Sequence, residues 1–237
     1  MPKMDLVALF NSKDRFMRYV DQYNERYRSE TESKELYLSA IGKYRRARDY
    51  ADLLQDTSYV TLVHRTLDSW DLNKRGARLT DLHTFERSIH ENAKLLISMS
   101  RYRMERLNKS EQGVLFNNLW LLFNNLAVMD TRSRIVGVSK ALHFLLPDLV
   151  MPIDRRYILS LLYLQQTRYS KEVKKEFSDF KDIFSEYVRL AQHINLSEDD
   201  VDNIGWNTSV PKIIDNAIIG FVLVEIDDKV KESLSCG

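Results

Sequence analysis

Residues 171–193, KEVKKEFSDFKDIFSEYVRLAQH, return an apolar side chain at every third or fourth position: Val173, Phe177, Phe180, Phe184, Val188 and Ala191. That spacing draws one apolar stripe along an otherwise charged rod, as an amphipathic helix requires, and leaves its Lys and Glu residues on a solvated face. The same period runs through residues 33–54 and 80–99. In the second of these, Thr80 is the expected N-cap, and Leu82, Phe85, Ile89 and Leu96 share a side. With only seven Gly and four Pro in 237 residues, little in the chain interrupts helices. The expected fold is all-α, a compact multi-helix bundle.

Residues 110–128, SEQGVLFNNLWLLFNNLAV, are apolar nearly all round, which predicts a central, buried helix. Its Asn117, Asn118, Asn124 and Asn125 must then bond neighbouring backbone or one another, or else line a polar cleft. A polar connector after Met129 leads to a short helix, SKALHFLL, which Ser139 is expected to cap and Pro147 to close. Asp154 is placed to cap the next helix. Ser197 with Asp200 forms a capping-box pattern, and Pro211 suits the first turn of a closing helix that runs to Val224. With no repeat and no long linker, residues 1–237 read as one helical domain, compact or two-lobed.

Charge is balanced overall, at +1, but not evenly spread. Residues 1–136 hold 23 basic and 18 acidic side chains, whereas residues 137–237 hold 12 and 16, so any nucleic-acid face is expected on the first part. The lone Cys236 excludes an internal disulfide framework and a multi-cysteine metal cluster. The first twenty residues contain Asp5, Lys13, Asp14 and Arg15 where an export signal needs an apolar stretch, and the run from Ala217 to Val224 is too short to span a bilayer. A cytoplasmic protein without membrane contact is expected. Gly-rich phosphate loops, a Gly-x-Ser-x-Gly elbow and a His-Glu-x-x-His motif are missing, and the five histidines are scattered, so no cofactor and no metal are assigned.

The segment IVGVSKALHFLLPDLVMPIDRRYILSLL, within residues 130–163, resembles the helix-hairpin-helix region of base-excision DNA glycosylases. The resemblance implies Gly137 and Val138 at a hairpin turn whose backbone amides grip a DNA phosphate, followed by Ser139. It makes Asp154 the carboxylate that supports loss of a flipped base and Lys140 the amine nucleophile, with Arg132, Arg134, Arg155 and Arg156 as phosphate contacts. Ser139 stands where the family has its second hairpin glycine, and the interval from Lys140 to Asp154 is shorter than in the bifunctional members. The stretches SWDLNKRGARLTDLHTFERSI and WNTSVPKIIDNAIIGF, taken with this segment, are also similar to a group of prokaryotic all-helical proteins without an assigned activity. That similarity directs attention to Trp70, Asn73 and Arg75 as cleft residues.

Each of these residues also has a plainer role open to it. Asp154 after Pro152-Ile153 is an ordinary helix cap, Lys140 suits an ion pair with Asp154 or Asp148, and His143 suits a hydrogen-bonded core position. The runs KYRRAR (43–48) and RYRMER (101–106) combine tyrosine with arginine, as phosphate-contacting surfaces do, yet each alone reads as a solvated helix face. Two functions are therefore carried forward: a DNA-binding protein of glycosylase-like fold, with catalysis left open and base excision as the reaction if it is active, and a non-catalytic helical module that binds a protein or small ligand.

Overall fold

The structure, a computed structural model, describes residues 2, 4–29, 31–74, 77–131, 133–163, 172–202 and 205–228, and these form helices joined by turns, with no strand among them. The helices are α1 (Leu6–Leu9), α2 (Lys13–Arg26), α3 (Glu32–Arg46), α4 (Tyr50–Gln55), α5 (Thr57–Leu67), α6 (Leu82–Glu91), α7 (Ala93–Met99), α8 (Lys109–Asn125), α9 (Ile135–Leu145), α10 (Ser160–Tyr163), α11 (Val173–His193) and α12 (Val210–Val222). No described helix is long and apolar enough to cross a membrane.

Short polar side chains set most of the boundaries. Ser12, Thr31, Asp49, Asp56, Asp81, Asn108 and Ser209 each accept a hydrogen bond from the first-turn amides of the helix that follows. The capping box at Ser197 and Asp200 is present, and Pro211 sits in the first turn of α12. Where Asp49 accepts from the amides of Ala51 and Asp52, the 33–54 segment breaks into α3 and α4, because the local cap outcompetes helix continuation. The 80–99 segment likewise divides at Asn92, whose side chain donates back to the Ser88 carbonyl, and its N-cap is Asp81 rather than Thr80.

Two helices make the centre, and α8 is not one of them. Every residue of α9 except Val136, and every residue of α12 except Phe221, is buried. By contrast α8 buries only Leu115, Leu119, Leu122 and Phe123 and leaves Val114 and Leu121 exposed. Apolar composition all round does not bury a helix whose outer face has no neighbour. Two of the α8 asparagines find partners: Asn124 donates to the Trp120 carbonyl in its own helix and Asn125 to the side-chain oxygen of Asn92, 33 residues away.

Around this centre α3 packs on α5 and α9, α5 on α6 and α9, and α11 on α1, α8 and α12. The closest pairing joins the two ends of the chain, α2 along α12. Gly220 permits it, since a Cβ there would lie 2.0 Å from the Tyr19 carbonyl oxygen. The Tyr19 hydroxyl then donates to Glu225 in the wide turn of Leu223–Asp228 that continues α12.

Candidate functional site

Helix α9 carries its polar side chains in a row, Ser139, Lys140 and His143, all of them buried. A buried polar atom needs a partner, and each of these finds one outside its own helix. The Ser139 hydroxyl accepts from the Ile153 amide at 3.1 Å. His143 is wholly buried, with Nδ1 2.9 Å from the Val150 carbonyl oxygen and Nε2 3.2 Å from the Tyr37 hydroxyl. A carbonyl only accepts, so Nδ1 carries the proton and Nε2 accepts from Tyr37, whose hydroxyl in turn pairs with Thr208. Burial pushes the imidazole down to about 3, which keeps this tautomer neutral.

Two of these bonds, Ser139 to Ile153 and His143 to Val150, hold the segment 146–154 against α9. Asp148 fastens the same segment to other parts of the chain. Its carboxylate takes two hydrogen bonds from the Arg45 guanidinium and an ion pair from Arg103, which also reaches Glu198 at 3.2 Å. Arg45 belongs to the run at 43–48 and Arg103 to the run at 101–106. The two basic runs therefore do converge, but on an internal carboxylate rather than on a free surface. Between them lies a cleft of about 200 Å³, walled also by Glu105, Glu198, Val201 and Val210.

The segment so held delivers Asp154. Its Oδ1 accepts from the amides of Arg156 and Tyr157 and starts the wide helical turn Arg155–Leu159, while Oδ2 lies 3.5 Å from the Lys140 ammonium. The carboxylate thus serves both as cap and as ion-pair partner. Lys140 has a side chain only 10 % exposed, against 33 % for Asp154, and its Nζ stands 5.4 Å over the ring of Trp70. Trp70 is carried by a tight turn after α5 in which Asp71 takes a left-handed φ of 62°.

Behind this pair runs a column of rings. Trp70 stacks on Tyr37 at 5.6 Å, and Tyr37 stacks on Trp206 at 5.1 Å. Lys212 stands 5.5 Å over Trp206 and 5.1 Å over Tyr23, bonded within α12 to Asp215 and Asn216 at 2.6 Å each. Asn216 closes the network by donating to the Trp206 carbonyl and to Asn207. Desolvation raises Asp215 above the usual carboxylate range, with Lys212 working against it. Lys212, Asp215, Asn216 and Asn207 are bonded to one another, and the cluster acts as the floor on which Trp206, Tyr37 and Trp70 are stacked.

The other residues singled out in the sequence lie apart from this pair. Gly137 is not at a hairpin turn; it is the third residue of α9, where a Cβ would lie 2.3 Å from Cγ of Met129, so its small size serves packing. Ser139 lies inside the same helix and caps nothing, because α9 begins four residues earlier at Ile135. The amino end of α9 already faces an anion: the buried Glu176 carboxylate accepts from the Ser133 hydroxyl at 2.6 Å and the Arg134 amide at 2.7 Å. The Arg134 guanidinium turns to the Leu126 carbonyl. Arg155 and Arg156 are exposed, the second paired with Asp227 at 2.7 Å. Asn73 accepts from the Leu79 amide and donates to Asp68, fastening the loop after Trp70. Arg75 and Arg132 lie outside the described residues.

Among the described residues, no three His, Cys, Asp or Glu side chains come together in a way that would hold a metal ion. Compared with family models, with curated proteins and with solved structures, the chain gives no match.

Proposed function

We propose that this protein binds DNA and that the Lys140–Asp154 pair is its reacting centre, with base excision as the reaction, the roles that its resemblance to helix-hairpin-helix glycosylases implies for these two residues. The supporting observation is the pair itself: an amine 3.5 Å from a carboxylate, the amine largely enclosed and the carboxylate open on one side, next to a half-buried indole. In the step this arrangement suits, the N-glycosidic bond breaks and its electron pair leaves with the base. Asp154 opposes the positive charge that develops on the sugar as this bond breaks; its Oδ2 then takes a proton from Lys140, the freed nitrogen pair bonds to C1′, and the proton passes on from Asp154 to the departing base. The target base has to leave the duplex stack to come within reach.

A second reading, the non-catalytic helical module, draws on a different observation. Arg45, Arg103, Arg134 and Arg156 are all engaged within the chain, and Glu176 stands where a phosphate would approach α9. Titration of a fluorescent duplex over a range of salt concentrations separates the two. Steeply salt-dependent binding supports DNA contact, and no binding at low salt removes it. Where the protein binds, base release by Asp154→Asn and Lys140→Met variants tests the chemistry. A rate unchanged in both removes the assigned roles.

A further inference from the structure

The cleft beside Arg45, Arg103 and Asp148 lies outside the Lys140–Asp154 pair, and one of its walls carries an incompletely bonded carboxylate. Glu105 stands in the tight turn Met104–Arg106, its side chain only 6 % exposed. Among the described residues, no donor comes within hydrogen-bond distance of its buried Oε1; the Arg106 Nε lies 3.6 Å off, on a side chain 66 % exposed. A buried acceptor without a donor is costly, and a charged one more so. Burial raises the Glu105 carboxyl above the usual carboxylate range, with its own backbone amide, Arg106 and Arg103 working against the shift. The turn is fixed on both flanks. The Met104 amide donates to the Asp148 carbonyl at 2.9 Å, and the Gln192 side chain donates to the carbonyls of Leu107 at 2.8 Å and Glu105 at 3.4 Å. The carboxylate is thereby kept on the cleft wall instead of turning out to water.

We infer that this cleft binds a small organic amine, whose ammonium group donates to Glu105 Oε1 and whose hydrocarbon body rests on Val201 and Val210. An ammonium–carboxylate bond is charge-assisted and about twice as strong as a neutral one. The other walls disfavour the alternatives. Both guanidinium groups already hold Asp148, so an entering anion would find them engaged and would face Glu105 and Glu198. A bare metal ion has no set of three ligands among the described residues and would stand against two arginines. Val210 is buried and Val201 half-buried, an apolar wall that suits hydrocarbon and offers nothing to a hydrated ion. At about 200 Å³ the cleft is smaller than the ~300–1,000 Å³ of sites for drug-sized molecules, so the amine is compact. Neither Lys140 nor Asp154 lines the cleft, so both readings of that pair leave this one standing.

Isobutylamine hydrochloride, a branched body with one ammonium, is a suitable probe. Titrated into the ¹⁵N-labelled full chain at neutral pH and constant ionic strength, it should shift the amide signals of Glu105 and Val201 saturably, with a Kd of about 1–10 mM. Isobutanol, the same body without the charge, should bind about tenfold more weakly. Glu105→Gln keeps the size of the side chain and should weaken isobutylamine by about tenfold as well. Val201→Phe, at a half-buried position, should fill the cleft and remove binding while Glu105 stays in place. Helical circular dichroism checks that both variants fold. Absence of a saturable shift up to ~100 mM overturns the proposal. So does isobutanol binding as tightly as the amine, or a folded Glu105→Gln variant that binds the amine like the wild type. Magnesium chloride or sodium acetate shifting the same amides where isobutylamine does not would overturn it too, by assigning the cleft to a metal ion or an anion.

Discussion

The Ser139 hydroxyl accepts the Ile153 amide at 3.1 Å, and this one bond sets the register of the neighbouring pair, Lys140 against Asp154. Residues 139 and 140 are consecutive on α9 and residues 153 and 154 are consecutive on the facing segment, so a slip in the first contact displaces the second. Ser139→Ala leaves a buried amide unbonded and is expected to lower stability by about 1–3 kcal/mol, read from urea unfolding. A midpoint within error of the wild type would show the tie to be dispensable.

Asp148 bears the remaining load on the same segment. Replacing it by Ala leaves Arg45 with the Thr208 carbonyl and Arg103 with Glu198, both cations about one-third exposed to solvent, and should destabilise by about 1–3 kcal/mol. The double variant with Arg103→Ala should recover part of that loss, which a double-mutant cycle measures directly.

Asp154 offers a separation of cap from charge. Asp154→Asn and Asp154→Ala both take the carboxylate away from the largely enclosed Lys140, but asparagine caps helices as well as aspartate does, so the alanine variant should be less stable than the asparagine variant by about 0.5–2 kcal/mol. Equal stabilities for the two variants would mean that the cap contributes nothing.

His143 makes the fold sensitive to acid. Its folded pKa, about 3, lies below its ordinary value of 6.5, so the unfolded chain binds the extra proton first. The stability it supplies is complete above pH 6.5 and is lost as pH falls towards about 3. Between roughly pH 6 and 4 the slope from this group approaches about 1.4 kcal/mol per pH unit, and His143→Gln should remove that part of it in unfolding curves taken across the range. An unchanged slope would place the acid sensitivity elsewhere.

Two glycines should respond unequally to alanine. At Gly220 the new methyl meets backbone, the Tyr19 carbonyl, and the α2–α12 pair must move apart, with an expected loss of about 3 kcal/mol or more. At Gly137 it meets the flexible side chain of Met129, which can turn away, so the loss should be smaller, about 1 kcal/mol. Thermal melts of both variants test the order.

A reader of the sequence can follow what is local and loses what is distant. The stripe on α11, the Ser197 box, Pro211 in α12 and Asp154 as a cap all depend on residues within a few positions of one another. The choice of centre does not. Helices α9 and α12 are more apolar than α8, and the polar groups they carry, Lys140, His143, Lys212 and Asp215, can be buried because each has a partner that offsets burial. Several of those partners are far along the chain: Tyr37 bonds His143 across 106 residues and Thr208 across 171. The sequence offers Lys140 either Asp154 or Asp148. The structure selects Asp154, because Asp148 is held by Arg45, 103 residues away. No spacing rule signals that the two basic runs meet on one carboxylate.

The pairing of α2 with α12 joins Tyr19 to Glu225, 206 residues apart. On the ribosome, α2 is finished long before its partner exists, and at ordinary elongation speeds it waits ~10–40 s with its apolar side uncovered. Phe16, Tyr19, Val20 and Tyr23 thus stay without their cover while the chain grows, and emergence of α12 is the event that seals this part of the fold.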